Sequence, residues 1–130
     1  MKNLRRVLNL RRECERAEEK LSELETLSEK LTTNLSDMPH AGTPTPIDEW
    51  WARYIDQKDY YRAKLFAYVN AAEELEREID GLKGDDIKLA MKYRFIDGMK
   101  ITDIAEAMFF SERNIYYLLK RGQKQYNERY

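Results

Sequence analysis

One cysteine, one histidine, three prolines and five glycines are all that this chain of 130 residues holds of the types that build disulfides, metal sites and sharp turns. Cys14 alone cannot close an internal disulfide. His40 lies between Pro39 and Pro46 with no cysteine or second histidine nearby, so it is expected as an exposed loop residue; neither a metal nor another cofactor is expected. No apolar run is long enough to cross a bilayer, and no hydrophobic region follows the opening Met1, Lys2, Asn3, Leu4, Arg5 and Arg6. Membrane insertion and secretion are therefore not expected, and the compartment expected is a cytoplasm, that of a bacterial host if the gene is phage-borne. No glycine-rich phosphate loop, nucleophile elbow or His-Glu-x-x-His spacing occurs, and the acidic pairs Glu18 with Glu19, Glu73 with Glu74 and Asp85 with Asp86 read as wet faces or helix starts. The chain is not expected to be an enzyme. Alternation of period two is also missing, which argues against strands.

What is present is charge and helical periodicity. Charged residues make up 36% and hydrophobic ones 42%, with a net charge of −1. From the N-terminus a heptad places Val7, Cys14, Leu21, Ser28 and Leu35 at one seam position and Leu10, Ala17, Leu24 and Leu31 at the other. A second heptad follows the Pro/Gly-containing stretch, with Ile47, Tyr54, Tyr61, Tyr68, Leu75 and Leu82 in one register and Trp51, Lys58, Leu65, Ala72 and Ile79 in the other. At 1.5 Å per residue the two stripes are ~48 and ~54 Å long, close enough to fold back on each other. The expected fold is all-α: a long antiparallel helical hairpin, coiled-coil-like, over 1–83 (helices 3–35 and 47–83, loop 36–46), followed by a small three-helix helix-turn-helix unit over 84–130. Gly81 and Gly84 are the expected hinge. The row Trp50, Trp51, Tyr54, Tyr60 and Tyr61 is wider than one partner helix needs, so the arm is expected to form a homodimer.

The C-terminal unit carries the functional signal. The stretch from Asp85 to Gly98 reads as a capped supporting helix, with Gly98 in the stop position that tolerates a left-handed backbone. Thr102 is the expected cap of the next helix, with Asp103 in its first turn and Ile104, Ala105 and Met108 facing inward. Ser111 is the second expected cap, and Ile115, Leu118 and Leu119 recur at helical spacing to give the last helix a buried stripe. Arg113, Asn114, Tyr116, Tyr117, Lys120, Arg121 and Lys124 remain on its other side. Residues 111–130 hold five basic and two acidic side chains, whereas 37–84 hold six and ten. The last helix is the basic end of the chain, as binding to phosphates requires.

The run Tyr93 to Met108, followed by Ser111 to Ile115, resembles the region 4 helix-turn-helix of bacterial sigma factors, over roughly the last third of the chain. With its charged first helix and its Met38-Pro39 step, the whole chain also resembles small phage-encoded proteins related to the ArpU and RinA late transcription regulators. This resemblance implies a phage or prophage transcriptional regulator that binds double-stranded DNA in a sequence-specific way, with RNA polymerase as a further partner. One departure stands out: such families usually place glycine where Phe109 stands, because that turn often needs positive φ. Phe110 is expected to pack inward just before the cap.

If DNA is the ligand, Ser111 opens the recognition helix, Arg113 is placed for guanine and Asn114 for adenine. Tyr116 and Tyr117 would touch sugar-phosphate or a thymine methyl, and Lys120, Arg121 and Lys124 phosphates. Two other classes remain open at this point. One is a small terminase-like DNA-packaging subunit, which also joins a helix-turn-helix to a coiled coil; the other is a helical protein–protein interaction module without DNA binding.

Overall fold

Five α-helices follow one another in the structure, a computed structural model that describes residues 3–33 and 46–130: α1 (Arg6–Thr33), α2 (Pro46–Asp80), α3 (Asp85–Phe95), α4 (Ile101–Met108) and α5 (Glu112–Arg129). No strand occurs among the described residues. The seam position expected at Leu35, the loop stretch 36–45 and His40 lie outside them. Pro46, which the sequence assigns to the loop, occupies the first position of α2, where its missing N–H costs nothing and its fixed φ suits the helix.

The chain divides into two compact units, residues 1–10 with 68–130 and residues 11–67. In the second unit α1 and α2 run antiparallel. The Trp50 indole N–H donates to the Leu24 carbonyl, Gln57 Nε2 to the Ala17 carbonyl at 3.1 Å, and Lys64 Nζ to Glu13 Oε2 at 2.9 Å. As the donor advances along α2 from Trp50 to Gln57 to Lys64, its acceptor retreats along α1 from Leu24 to Ala17 to Glu13, the signature of a helical hairpin. On α1 the expected seam holds, with Cys14 and Ala17 buried and Leu21, Leu24 and Ser28 partly so.

On α2 only one register of the expected seam holds in this unit. Tyr54 and Tyr61 face inward, but the second position is taken by Trp50, Gln57 and Lys64, one residue earlier than expected, while Trp51 and Leu65 are exposed. Gln57 and Lys64 reach acceptors on α1, so two polar side chains sit at the seam at little cost. The aromatic row accordingly splits. Trp50, Tyr54 and Tyr61 are partly buried, Trp51 stacks on Tyr54 with ring centroids 5.8 Å apart, and Tyr60 lies exposed a helical half-turn away.

The other unit is built around one hydrophobic core. Ile87, Ala90, Met91 and Phe95 of α3, Ile104 and Ala105 of α4, and Ile115, Leu119 and Tyr126 of α5 pack with Val7, Ala71, Leu75, Ile79 and Leu82. The helix-turn-helix core therefore does not begin at residue 84. Helices of 11, 8 and 18 residues are too short to enclose a core alone, and the start of α1 with the last turns of α2 supplies the missing wall. The stretch expected to act as a hinge is fastened. Leu82 is buried, Lys92 Nζ meets Asp80 Oδ1 at 2.6 Å, and the Arg129 guanidinium donates to the Gly81 carbonyl. Gly84 takes φ 99°, a backbone that only glycine adopts cheaply, and leads directly into α3.

Candidate nucleic-acid interface

The geometry of α4 and α5 starts with how each is capped. Thr102 is not the cap of α4: the helix begins at Ile101, and extended Lys100 precedes it without a side-chain bond. The first bond runs from the Ile104 N–H to the Lys100 carbonyl, which sets the start of the helix before the hydroxyl can take part. Ser111 behaves as expected, its Oγ accepting from the Asn114 N–H at 3.2 Å, with Glu112 in the first turn beside the positive end of the dipole.

Between the two helices stands Phe109, with φ 58° and ψ 38°. It is the only non-glycine residue at positive φ among those described. Its N–H donates to the Glu106 carbonyl, and the Phe110 N–H to the Ala105 carbonyl at 3.0 Å. These two bonds are the Schellman pattern, which normally ends on glycine. The turn has the geometry that glycine usually supplies, despite the bulky side chain, and the Phe109 ring projects outward, 93% exposed. Phe110 does the packing, half-buried against the core as expected.

α5 buries Ile115, Leu119, Gly122 and Tyr126 at spacings of four, seven and eleven residues. Gly122 had no assigned role in the sequence. A Cβ there would lie 2.6 Å from Met91 Cγ and 3.0 Å from Ile87 Cγ2, so glycine is what lets α3 and α5 approach this closely. At the C-terminal end of α5 the Tyr126 hydroxyl donates to Glu78 Oε2 of α2 at 3.3 Å, and Tyr130 packs on the Tyr126 ring.

The opposite stripe of α5 is free. Arg113, Tyr117, Lys120 and Lys124 follow the same spacings and are exposed, with Tyr116 at 61% and Tyr117 at 55%. Among the described residues no ion pair engages Arg113, Lys120 or Lys124. Arg121 lies over the Tyr117 ring at 5.3 Å, an arrangement that orients its guanidinium without neutralising it. Tyr116, Tyr117, Lys120, Arg121 and Lys124 line one open groove of about 1090 Å³. Ser111, Arg113 and Asn114 sit apart from it at the helix start, Asn114 half-buried behind its own cap. The groove adds residues that spacing did not reveal: Arg94 of α3, its guanidinium donating to the Met99 carbonyl at 2.9 Å, with Gln123 and Asn127. Glu128 lines it too, the one acidic side chain there.

Elsewhere, no group of acidic, histidine and cysteine side chains among the described residues is arranged to hold a metal. No helix among them is long and apolar enough to cross a membrane. Burial pushes the Cys14 thiol above its ordinary range, with Glu13 adding to the shift.

No curated protein and no solved structure matches the chain. A family match runs through the later part of α1, all of α2 and nearly all of the helix-turn-helix unit: over residues 28–127 the chain belongs to the family described as "Protein of unknown function (DUF1492)".

Proposed function

We propose that the protein is a sequence-specific double-stranded DNA-binding protein of the phage or prophage regulator type, with α5 as its recognition helix. The exposed stripe Arg113, Tyr117, Lys120 and Lys124 on a Ser111-capped helix, its three cations in no ion pair among the described residues, supports this reading most directly. A cationic side chain left unpaired on a chain rich in carboxylates is available to a polyanion. The division of α5 also suits the division of labour in DNA recognition. Arg113 lies in the first turn, which enters the major groove and meets base edges. Lys120, Arg121 and Lys124, with Arg94 beside them, lie where phosphates would flank that groove, fixing register without reading sequence. The helical arm is assigned to self-association, which pairs two recognition helices for two half-sites, and contact with RNA polymerase belongs to the same proposal.

Selection of bound duplexes from a random pool at moderate salt tests it. The expected result is an enriched motif, repeated as two half-sites about a dyad. A pool that stays random at low as well as moderate salt would contradict the assignment.

A further inference from the structure

α2 carries a second face that the hairpin does not use. Ile55 is 43% exposed and Phe66 70%, with Asp59 and Arg62 exposed between them. The four follow one another at spacings of four, seven and eleven residues and so share a single stripe. It points away from Trp50, Gln57 and Lys64, the side chains that bond α1. Neither Asp59 nor Arg62 is in an ion pair among the described residues, although Arg11, Lys64, Lys88 and Lys92 on this protein all are.

The order of the stripe is its informative property. Ile55 and Phe66 are equidistant from the midpoint between Tyr60 and Tyr61, and so are Asp59 and Arg62. Read forward it is apolar, acidic, basic, apolar; read backward the charges exchange. Two copies laid antiparallel with a two-fold axis at that midpoint would set Ile55 against the partner's Phe66 and Asp59 against the partner's Arg62. Each pairing would occur twice, as isologous contact demands. A parallel pairing in register would instead set Asp59 against Asp59 and Arg62 against Arg62. An unrelated partner gives no reason for this inversion of charge about one point.

We infer that this face of α2 is an antiparallel homodimer interface, with Ile55 and Phe66 as its apolar anchors and two Asp59–Arg62 pairs fixing its register. The inference deepens the self-association assigned to the arm above and rests on that part of it alone; DNA binding by α5 does not depend on it. Opposite charges at the centre act chiefly as a filter on register, because the wrong alignment brings like charges together.

Sedimentation equilibrium of the full chain tests this, with circular dichroism to confirm that each variant keeps its helices. The wild-type chain is expected to be a dimer at tens of micromolar. Asp59→Arg and Arg62→Asp each place like charges across the axis and are expected to weaken it at least about tenfold. The double variant Asp59→Arg/Arg62→Asp inverts both pairs and is expected to recover most of that loss, which a merely disruptive surface change would not. Phe66→Glu gives a monomer with unchanged helix content. A dimer indifferent to all four variants would overturn this interface while leaving self-association standing. A chain that is monomeric at every concentration would overturn both, and would leave the face to a different protein. Neither outcome decides whether the duplex selection enriches a motif; a monomer would remove only the repeat of that motif about a dyad.

Discussion

The side-chain amide of Gln125 brackets the main chain of Lys83, accepting from its N–H at 2.8 Å and donating to its carbonyl at 3.1 Å. One residue of α5 thereby holds the segment that joins α2 to α3, so the C-terminal part of α5 is tied to the end of α2. Gln125→Ala removes both bonds at a partly exposed site, so a loss of about 1 kcal/mol is expected. Thermal unfolding followed by circular dichroism would show a fall of roughly 4 °C. An unchanged transition would mean that water replaces the amide without loss.

Phe109 holds a left-handed backbone that favours glycine, and its ring is almost wholly exposed. Phe109→Gly is expected to stabilise by about 1 kcal/mol, the relief of αL strain outweighing the freedom gained by the unfolded chain. Urea unfolding midpoints measure this. A destabilised variant would show that the ring has a packing role.

Gly122 is in the contrary situation. Gly122→Val puts atoms into buried Met91 and Ile87, and overpacking of this kind costs roughly 1–3 kcal/mol. The urea midpoint is expected to fall, whereas a chain as stable as wild type would show that α3 and α5 separate at no cost.

Burial and Glu13 favour the neutral Cys14 thiol. Folding therefore raises this pKa, and the stabilisation is complete below the unfolded-state value and lost as pH rises through the folded one. Alkylation followed against pH is expected to be slower in the folded chain than in urea, with its inflection at higher pH. Matching profiles would place the thiol in solvent.

The sequence made the hairpin and the turn readable where hydrophobicity and capping decided the structure alone. Along α1 the seam at Cys14, Ala17 and Leu21 is flanked by charge, so only one face was available to bury. Along α2 periodicity favoured Trp51 and Leu65 over Gln57 and Lys64. It counts apolar groups and does not see that a glutamine amide can reach the Ala17 carbonyl or a lysine Glu13. The Ser111 cap and the free stripe of α5 were legible from spacing. Arg94 was not, because only the packing of α3 against α5 brings it to the groove, nor was Gly122, whose role depends on the volume of Met91 across the interface. The wall that Val7, Ala71 and Leu75 supply to the helix-turn-helix core was hidden for a similar reason: Val7 and Leu75 fall on the hairpin heptads, and Ala71 lies one residue before the expected Ala72.

The central claim is that the exposed side of α5 binds duplex DNA, and fluorescence anisotropy on a selected duplex across a salt series tests it most directly. The wild-type chain is expected to bind with a steep inverse dependence on salt. Lys120→Ala and Lys124→Ala should each lower that slope by about one and weaken all sequences alike, while Arg113→Ala should lose about 1–3 kcal/mol of discrimination at one base pair. Absence of binding at low salt, or three variants that bind every sequence as the wild type does, would contradict it.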